Sequence, residues 1–195
     1  RRSRRRFRGG HGAASPALPG AVGLLGALIV LPADAVASHL TALSVYGLEI
    51  GAVSPLHIST QTSTHTRHEG IRSHQRRAPI SRQMLHGIPV TSPNRTLIDI
   101  TTKVGLVQVV QAAEWMIHQG LTSREALATY ATERHLDGVR RMRRIVGLVR
   151  DGVESPMESL LRLMIVFARL PEPRCNVDIR DALGRFVARG DLVYP

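Results

Sequence analysis

The sequence predicts an α+β fold, in which a small mixed sheet with helices is followed by a helix and a hairpin. Between residues 52 and 90, short segments alternate polar and apolar residues, and four helical segments follow them. After a break at "RDGVESP", a long helical segment precedes two more alternating segments that flank the turn "DALG". Because 43% of the 195 residues are hydrophobic, the chain can bury a sizeable core.

The first elements are predicted from residue type and spacing. Residues 1–20 are rich in Arg, Gly, Pro and Ala, which indicates poor order, and the small and aliphatic residues 21–31 predict a buried helix. The segment "SHLTALSVYGL" predicts a short helix with Ser38 as its cap and Gly47 at its end. Three segments then predict strands: "SPLHIST", "EGIRSHQR" and "GIPVTS".

Helices are predicted for most of the chain from residue 91 to residue 170. In "TSPNRTLIDI", Ser92 is the expected cap and Pro93 occupies the first turn. Residues 107–119 carry apolar side chains at helical spacing, and Gly120 ends that segment. The helix in "TSREALATYATERH" begins with the capping-box spacing of Thr122 and Glu125. Two further helices are predicted in "GVRRMRRIVGLV" and "SPMESLLRLMIVFARL".

Basic residues outnumber acidic ones. The formal net charge is +11, and six of the 26 basic residues lie in the first eight positions, "RRSRRRFR". The other 20 basic residues and the 15 acidic ones make the rest of the chain mildly basic, which suits a nucleic-acid partner without requiring one. Arginine suits phosphate binding, but Lys103 is the only lysine, and a GC-rich genome explains that bias more simply.

Cysteine content and the N-terminus bear on the cellular compartment. The single cysteine, Cys175, excludes an intramolecular disulfide and a cysteine-based zinc site, which favours a reducing setting. The segment "SRRRF", the apolar run 21–31 and "AVA" at 35–37 together imitate a twin-arginine export signal. That run is too short to span a membrane, and the cleavage point would lie in a predicted folded element. We therefore expect a cytoplasmic protein without a membrane partner, with export directed by residues 1–37 as the alternative.

Two acidic residues are candidates for metal binding. A Mg²⁺-dependent nuclease needs hard oxygen ligands, usually two or three carboxylates from different elements. A helix that begins "ESPMESLL" and packs on the hairpin can bring Glu158 near Asp191 of the last strand. Each residue also has a simpler interpretation. The Glu158 side chain can return to the backbone N–H of Ser155 in a helix cap, and Asp191 can be a solvent-facing strand residue.

The stretch "ESPMESLLRLMIVFARLPEPRCNVDIRDALGRFVARGDLVYP" resembles the start of the Vsr-like endonuclease domain of many actinobacterial proteins, which is related to very-short-patch repair endonucleases. The matching features are the Glu-Ser-Pro helix start, Leu-Pro after the helix, the Gly turn, and then Ala-Arg and Asp-Leu. The resemblance implies a restriction-endonuclease-like core in which Glu158 and Asp191 are the first two acidic positions that hold Mg²⁺. Gly190 stands where an aliphatic residue is expected, which predicts a bulged or weakened strand there.

The family pattern continues with another acid, commonly in a Glu-Tyr-Asp-Gly-like run, and with a histidine. Neither has a counterpart here, because four residues follow Asp191. We therefore expect the catalytic and metal site of this chain, formed by Glu158 and Asp191, to be incomplete. Phosphodiester hydrolysis is expected of the intact protein, and tight Mg²⁺ binding or DNA cleavage is not expected of this chain.

Upstream, the segments "AVASHLTALSVYGL", "LHIST", "GIRSHQRR" and "GIPVTSPNRTLIDI" resemble the AbiEi-type antitoxin-like module that is often fused ahead of such nuclease domains. The best anchors are Ser38-His39, Thr91-Ser92-Pro93 and "RTLID" at 95–99. In the antitoxin family a winged helix-turn-helix that reads DNA precedes the module, and here it is missing or reduced to the arginine-rich start. The resemblance implies DNA and a cognate toxin protein as partners.

Three further groups have both a functional and a simpler interpretation. The histidines His57, His65, His68 and His74 have no acid or cysteine at zinc-motif spacing, so we interpret them as solvated. A Ser-His pair at 38–39 suggests a nucleophile and its base, but adjacent helical positions point about 100° apart, so a cap serine is simpler. Four arginines can contact a DNA backbone or form a solvated helix face, and both interpretations stay open: Arg140, Arg141, Arg143 and Arg144.

We therefore predict three parts: a basic N-terminus (1–32), an AbiEi antitoxin-like module (33–150) and a Vsr-like endonuclease-fold part (151–195). The predicted function is that of a DNA-associated protein of toxin–antitoxin or defence type with an incomplete Mg²⁺-dependent endonuclease-like domain. The alternative is a non-catalytic antitoxin or transcriptional regulator that binds DNA or a partner protein.

Overall fold

The computed structural model describes residues 21–52, 54–64 and 68–194, and in these ranges it confirms the predicted α+β class. They contain a five-stranded mixed sheet, a two-stranded antiparallel sheet, seven α-helices and one short 3₁₀ helix at Val146–Leu148. None of these helices combines the length and the apolar character needed to cross a bilayer. The predictions made for residues 1–20 and for His65 lie outside the described ranges.

The helices are α1 (Ala21–Val30), α2 (His39–Tyr46), α3 (Pro93–Ile100), α4 (Leu106–His118), α5 (Arg124–Glu133), α6 (Val139–Ile145) and α7 (Pro156–Phe167). The strands are β1 (Val36–Ala37), β2 (Leu56–Thr60), β3 (Ile71–Gln75), β4 (Arg82–Leu85), β5 (Ile88–Thr91), β6 (Arg174–Arg180) and β7 (Phe186–Val193). Every helix and strand that the sequence predicted between residues 21 and 194 is present, with boundaries shifted by a few residues.

The five-stranded sheet has the order β3-β2-β1-β5-β4. The central strand β1 runs antiparallel to β2 and parallel to β5, while β2 and β3 are parallel and β4 and β5 antiparallel. The sequence did not predict β1 or β4. Strand β1 has only two residues, too few to show a period, and β4 has the unalternating sequence "RQML". Long-range pairing rather than local pattern therefore creates these two strands.

Two apolar clusters form the core. One lies between the sheet and helices α1 and α2, and the other joins helices α2 to α7. Helix α1 was predicted to be buried. Leu24 and Ala27 are buried and Leu28 is half-buried against the core, while Ile29 and Val30 are exposed. That prediction is wrong for one face of the helix, because in the described structure no element covers it.

Glycines end two of the helices as predicted. Gly47 has φ 111° after α2, and Gly120 has φ 68° beyond α4. These left-handed conformations cost little for a residue without a Cβ atom.

The predicted serine caps are wrong at two helices. Ser38 and Ser92 occupy the N-cap positions of α2 and α3 but make no side-chain capping hydrogen bond. The Ser92 hydroxyl accepts a hydrogen bond from the Ser81 hydroxyl at 2.9 Å instead. A nearby tertiary partner thus competes successfully with the helix N–H groups.

Helix α5 is capped by a different residue from the one predicted. The hydroxyl of Ser123 accepts a hydrogen bond from the Ala126 N–H at 3.1 Å. Thr122, predicted to cap this helix in a box with Glu125, donates its hydroxyl to Asn94 at 2.6 Å.

Helix α7 packs on α4 across the predicted boundary at residue 150. Its Arg162 guanidinium is buried and donates to the Glu114 carboxylate of α4 at 2.5 Å, to Glu172 at 2.6 Å and to the Leu148 carbonyl at 2.8 Å. Val153 and Leu163 are also buried. The contacts that anchor residues 151–194 are therefore made largely with the preceding helices.

The β6–β7 hairpin is irregular, but not where the sequence predicted. The register shift lies between Ile179 and Arg180, whereas Gly190 pairs regularly with Val177. A Cβ atom on Gly190 would lie 2.4 Å from Cγ2 of Val193. Close packing of that side chain, rather than a bulge, explains the glycine.

Candidate functional site

The structure brings the two predicted carboxylates to one pocket. Glu158 in the first turn of α7 and Asp191 in β7 both line a space of about 360 Å³, together with apolar side chains such as Met157 and Leu161. The helix and the hairpin that position them were both predicted. Metal binding by the pair remains a prediction.

Glu158 is already engaged in hydrogen bonds. Its Oε1 accepts from the Ser155 hydroxyl at 2.7 Å, and its Oε2 accepts from the Glu154 N–H at 3.1 Å and from the Asn176 amide at 2.7 Å. Burial alone would raise the pKa of Glu158, but these hydrogen bonds outweigh it and lower the pKa. The Ser155 oxygen also accepts from the Glu158 N–H at 3.3 Å, so Ser155 caps the helix. The Glu158 side chain was predicted to accept from the Ser155 N–H, but it accepts from the Glu154 N–H and the Ser155 hydroxyl instead.

Asn176 links the carboxylate of α7 to the hairpin. Its amide nitrogen donates to Glu158 and, at 2.6 Å, to the Gly152 carbonyl. The flanking pairs, 175 with 192 and 177 with 190, place Asn176 opposite Asp191 in the ladder. A cation that binds Glu158 Oε2 would have to displace this amide or turn its Oδ1 atom toward itself.

Asp191 is exposed, and its carboxylate forms no hydrogen bond or ion pair within the described part of the chain. No third His, Cys, Asp or Glu side chain of the described residues joins Glu158 and Asp191 in a potential metal-ligand group. The pocket therefore offers two carboxylates, and the oxygens of one of them, Asp191, have no hydrogen-bond partner among the described residues.

The four predicted DNA-contacting arginines are all exposed on α6 or at its end. Arg141 donates to the Thr101 carbonyl at 2.5 Å, and Arg143 donates to the carbonyls of residues 131, 132 and 134 at the end of α5. These two guanidinium groups thus satisfy helix-terminal carbonyls. Arg140 and Arg144 have no hydrogen bond or ion pair among the described residues, so they are the ones available to a phosphate.

Sequence reasoning missed a second site. His39 at the start of α2, His57 on β2 and His74 on β3 each offer a ring nitrogen, and the three nitrogens lie within 4.8 Å of one another. His57 Nδ1 and His74 Nε2 are 2.8 Å apart. We call these three residues the histidine cluster.

The interpretation of the four histidines as solvated is wrong for His57, which is 6% exposed, and His74 is half-buried. His68 is exposed as expected, and His65 lies outside the described ranges. In the parallel pairing of β2 and β3, residue 57 lies opposite 72 and residue 59 opposite 74, so both histidines lie on one face. Because side chains alternate between the two faces of a strand, the sequence could have indicated that the two histidines share one face of the sheet. The pairing itself is a long-range contact that local pattern does not reveal.

Burial is the main cause that lowers the pKa of all three imidazoles. It lowers the pKa of His57 to about 4, with Lys103 and Arg72 adding to the effect. It lowers the pKa of His74 to about 3 and that of His39 further still, in both cases with the neighbouring histidine and arginine side chains contributing. The cluster is therefore uncharged at neutral pH.

Ser38 and His39 are in contact, contrary to the argument from helical spacing. The Ser38 backbone is extended and His39 has φ 52°, so neither residue has helical geometry, and Ser38 Oγ lies 2.9 Å from His39 Nδ1. The left-handed conformation of a residue with a Cβ atom costs roughly 1–2 kcal/mol. Both side chains are buried, so this serine is not accessible as a nucleophile.

A polar chain extends from His39 to the helices. Arg76, which can only donate, lies 3.3 Å from His39 Nε2, so the His39 proton is on Nδ1. Arg76 also donates to Asp99 at 3.2 Å, and Arg95 donates to the same carboxylate at 3.0 Å. Arg95 and Asp99 are buried. The "RTLID" motif thus supplies a buried ion pair that supports the histidine cluster.

No family model, curated protein or solved structure gives a significant match to this chain. The resemblances to nuclease and antitoxin families therefore depend on the sequence motifs alone.

Proposed function

We propose that this chain is a DNA-associated protein of toxin–antitoxin or defence type, in which residues 151–195 contribute two carboxylates to a Mg²⁺-dependent endonuclease-like site. The observation that carries the proposal is the shared pocket of Glu158 and Asp191. The proposal is supported by the position of these two carboxylates, one on a helix and one on the adjoining hairpin.

The chemistry of Mg²⁺ limits what these residues do alone. Mg²⁺ is commonly held by one or two carboxylates, several waters and substrate phosphates. Glu158 and Asp191 are enough to place one ion on a DNA phosphate. Hydrolysis also needs a group that activates water and further stabilisation of the transition state. We expect the 195-residue chain to bind the ion weakly and to leave DNA uncut.

A titration with Mn²⁺, followed by electron paramagnetic resonance, tests the metal site. We expect one weak site that Asp191→Asn abolishes, since Asp191 has the free carboxylate. Asp151→Asn, which alters another exposed acid, is the matched control and should leave binding unchanged. Equal binding by the Asp191 and Asp151 variants would contradict the proposed site. Mg²⁺-dependent cleavage that both Glu158→Ala and Asp191→Ala abolish would show instead that the site is complete.

A second candidate function is a non-catalytic regulator that binds DNA or a partner protein. It is favoured by the complete engagement of Glu158 as a helix cap and by the free guanidinium groups of Arg140 and Arg144.

Fluorescence anisotropy of a labelled duplex at rising salt tests the DNA part of both functions. Each phosphate contact that is removed lowers the slope of log affinity against log salt by about 1. We expect a reduction of about 2 for the double variant Arg140→Gln/Arg144→Gln. The control is Arg82→Gln, on exposed strand β4, with an unchanged slope. Absence of binding at low salt would contradict the DNA part of both functions and would leave binding of a partner protein as the second function.

A further inference from the structure

The histidine cluster is the group of at least three potential metal ligands that the described residues bring together. Its members come from three separate elements, and the rings of His39 and His74 are tilted by 30° with centroids 4.1 Å apart. Imidazole is a preferred ligand of Zn²⁺ and neighbouring divalent transition metals. We propose that His39, His57 and His74 together hold one divalent transition-metal ion of the Zn²⁺ type.

The nitrogen positions are close to those of an occupied site. With Zn–N bonds of about 2.0–2.1 Å, tetrahedral ligands lie about 3.3 Å apart. His57 Nδ1 and His74 Nε2, now 2.8 Å apart, need to separate by about 0.5 Å. The His39 nitrogen, at most 4.8 Å from the others, needs to approach by no more than about 1.5 Å. Side-chain rotation accounts for shifts of this size without a change in backbone.

The protonation state also suits a metal ligand. Because burial keeps the three imidazoles uncharged, each ring has one nitrogen lone pair. In the metal-free cluster one of the two nitrogens in the His57–His74 contact must bear a proton. Metal binding requires that ring to adopt its other tautomer, with no net release of protons from the rings.

Arg76 weakens metal binding at the histidine cluster. Its guanidinium donates to His39 Nε2, and Arg72 and Lys103 add positive charge nearby. When Arg76 releases His39 it keeps two partners, the Ser59 hydroxyl at 3.2 Å and the Asp99 carboxylate. Removal of Arg76 should therefore strengthen metal binding, because it removes both a competing donor and a positive charge.

Three protein ligands leave a fourth coordination position for water or another small ligand. His57 also lines an open pocket of about 540 Å³, together with Arg72, Lys103 and Gln108. The cluster is thus reachable from solvent although His39 is 3% exposed.

The test uses the full 195-residue chain without a histidine tag, freed of metal by a chelator and titrated with Co²⁺. We expect one equivalent to produce the visible absorption bands of a four-coordinate ion, and Zn²⁺ to displace it. His57→Ala and His74→Ala should each weaken binding at least about tenfold. His118→Ala, at an exposed histidine on α4, should not change it. Arg76→Gln should bind Co²⁺ several-fold more tightly than the unaltered chain.

Circular dichroism of the metal-free variants separates loss of the site from loss of the fold. If a histidine variant does not fold, X-ray absorption of the Zn²⁺-loaded unaltered chain gives the answer independently, with three imidazole ligands expected. Absence of Co²⁺ binding would overturn the proposal. So would fewer than three imidazoles around Zn²⁺, or equal affinity of the folded His57, His74 and His118 variants.

Discussion

Residues 36–148 bury many polar side chains, whereas residues 151–194 bury two, Ser159 and Arg162, and expose many apolar ones. In the first region Arg95 and Asp99 are at most 4% exposed, each held by a partner. In the second, Leu183 is 77% and Phe186 58% exposed. A sheet covered by helices encloses enough volume for polar side chains to be buried together with their hydrogen-bond partners. One helix and a hairpin enclose no core of their own, and Leu163 packs instead into the helical cluster of the first region.

The largest expected effect comes from the ion pair that joins the two regions. Arg162→Ala leaves the buried Glu114 carboxylate without its charged partner, and we expect a loss of about 3–5 kcal/mol in the free energy of unfolding. Urea denaturation measures it. The double variant Glu114→Leu/Arg162→Leu is the control and should be more stable than Arg162→Ala, because no unpaired charge remains buried. A loss below about 1 kcal/mol, the range of an exposed pair, would contradict this account.

Two glycine substitutions sharpen the comparison. Gly138 has φ 86°, and a Cβ atom there would lie 2.1 Å from Thr101 Oγ1 and 2.8 Å from the Ile98 carbonyl oxygen. Because that oxygen belongs to the backbone of α3, it cannot move aside. We expect Gly138→Ala in the first region to cost about 2–4 kcal/mol, measured by thermal or urea unfolding.

The matching change in the second region should cost less. A Cβ atom on Gly190 meets the end of the Val193 side chain, which can rotate, so we expect Gly190→Ala to cost about 1 kcal/mol. Gly152→Ala, with φ 79° and open space around it, isolates the cost of the left-handed backbone. A Gly190→Ala variant that is less stable than Gly138→Ala would reverse the comparison.

The smallest expected effect is a pH dependence at Asp34, which precedes the first region and accepts hydrogen bonds from its residues 60–62. Burial alone would raise the pKa of Asp34, but hydrogen bonds from Thr60, Gln61 and Thr62 outweigh it and lower the pKa to about 2. The ordinary value is 3.8, so the stabilisation is complete above about pH 4 and is lost as the pH falls towards 2. We expect Asp34→Asn to cost about 1 kcal/mol at pH 7, after allowance for its exposure to solvent.

Unfolding measured between pH 7 and pH 2 should show this difference shrink below pH 4. Asp181 is the matched control, since its carboxylate also accepts from two backbone N–H groups but holds only a hairpin turn outside both apolar clusters. Asp181→Asn should change stability less than Asp34→Asn does. A constant difference between the Asp34 variant and the unaltered chain across this range would contradict the role given to its charge.

Prediction from sequence succeeded where the signal is local. Helix α7 shows it best, because Ser155, Pro156 and Glu158 mark its start and apolar residues follow at helical spacing. The same local signals placed Glu158 and Asp191 on neighbouring elements, and both line one pocket. The caps at Ser38 and Ser92 were predicted by the same rule and are wrong, since each hydroxyl finds a partner outside its helix.

The sequence by itself determined the α+β class and the order of most helices and strands, because period, capping residues and turns act over a few positions. Only the tertiary structure decided that His39, His57 and His74 meet, that two of the α6 arginines bond to helix ends, and that β1 lies in the middle of the sheet. These outcomes depend on which strands pair and which helices pack. Such contacts join residues far apart in the chain, and no short segment of the sequence determines their free energies.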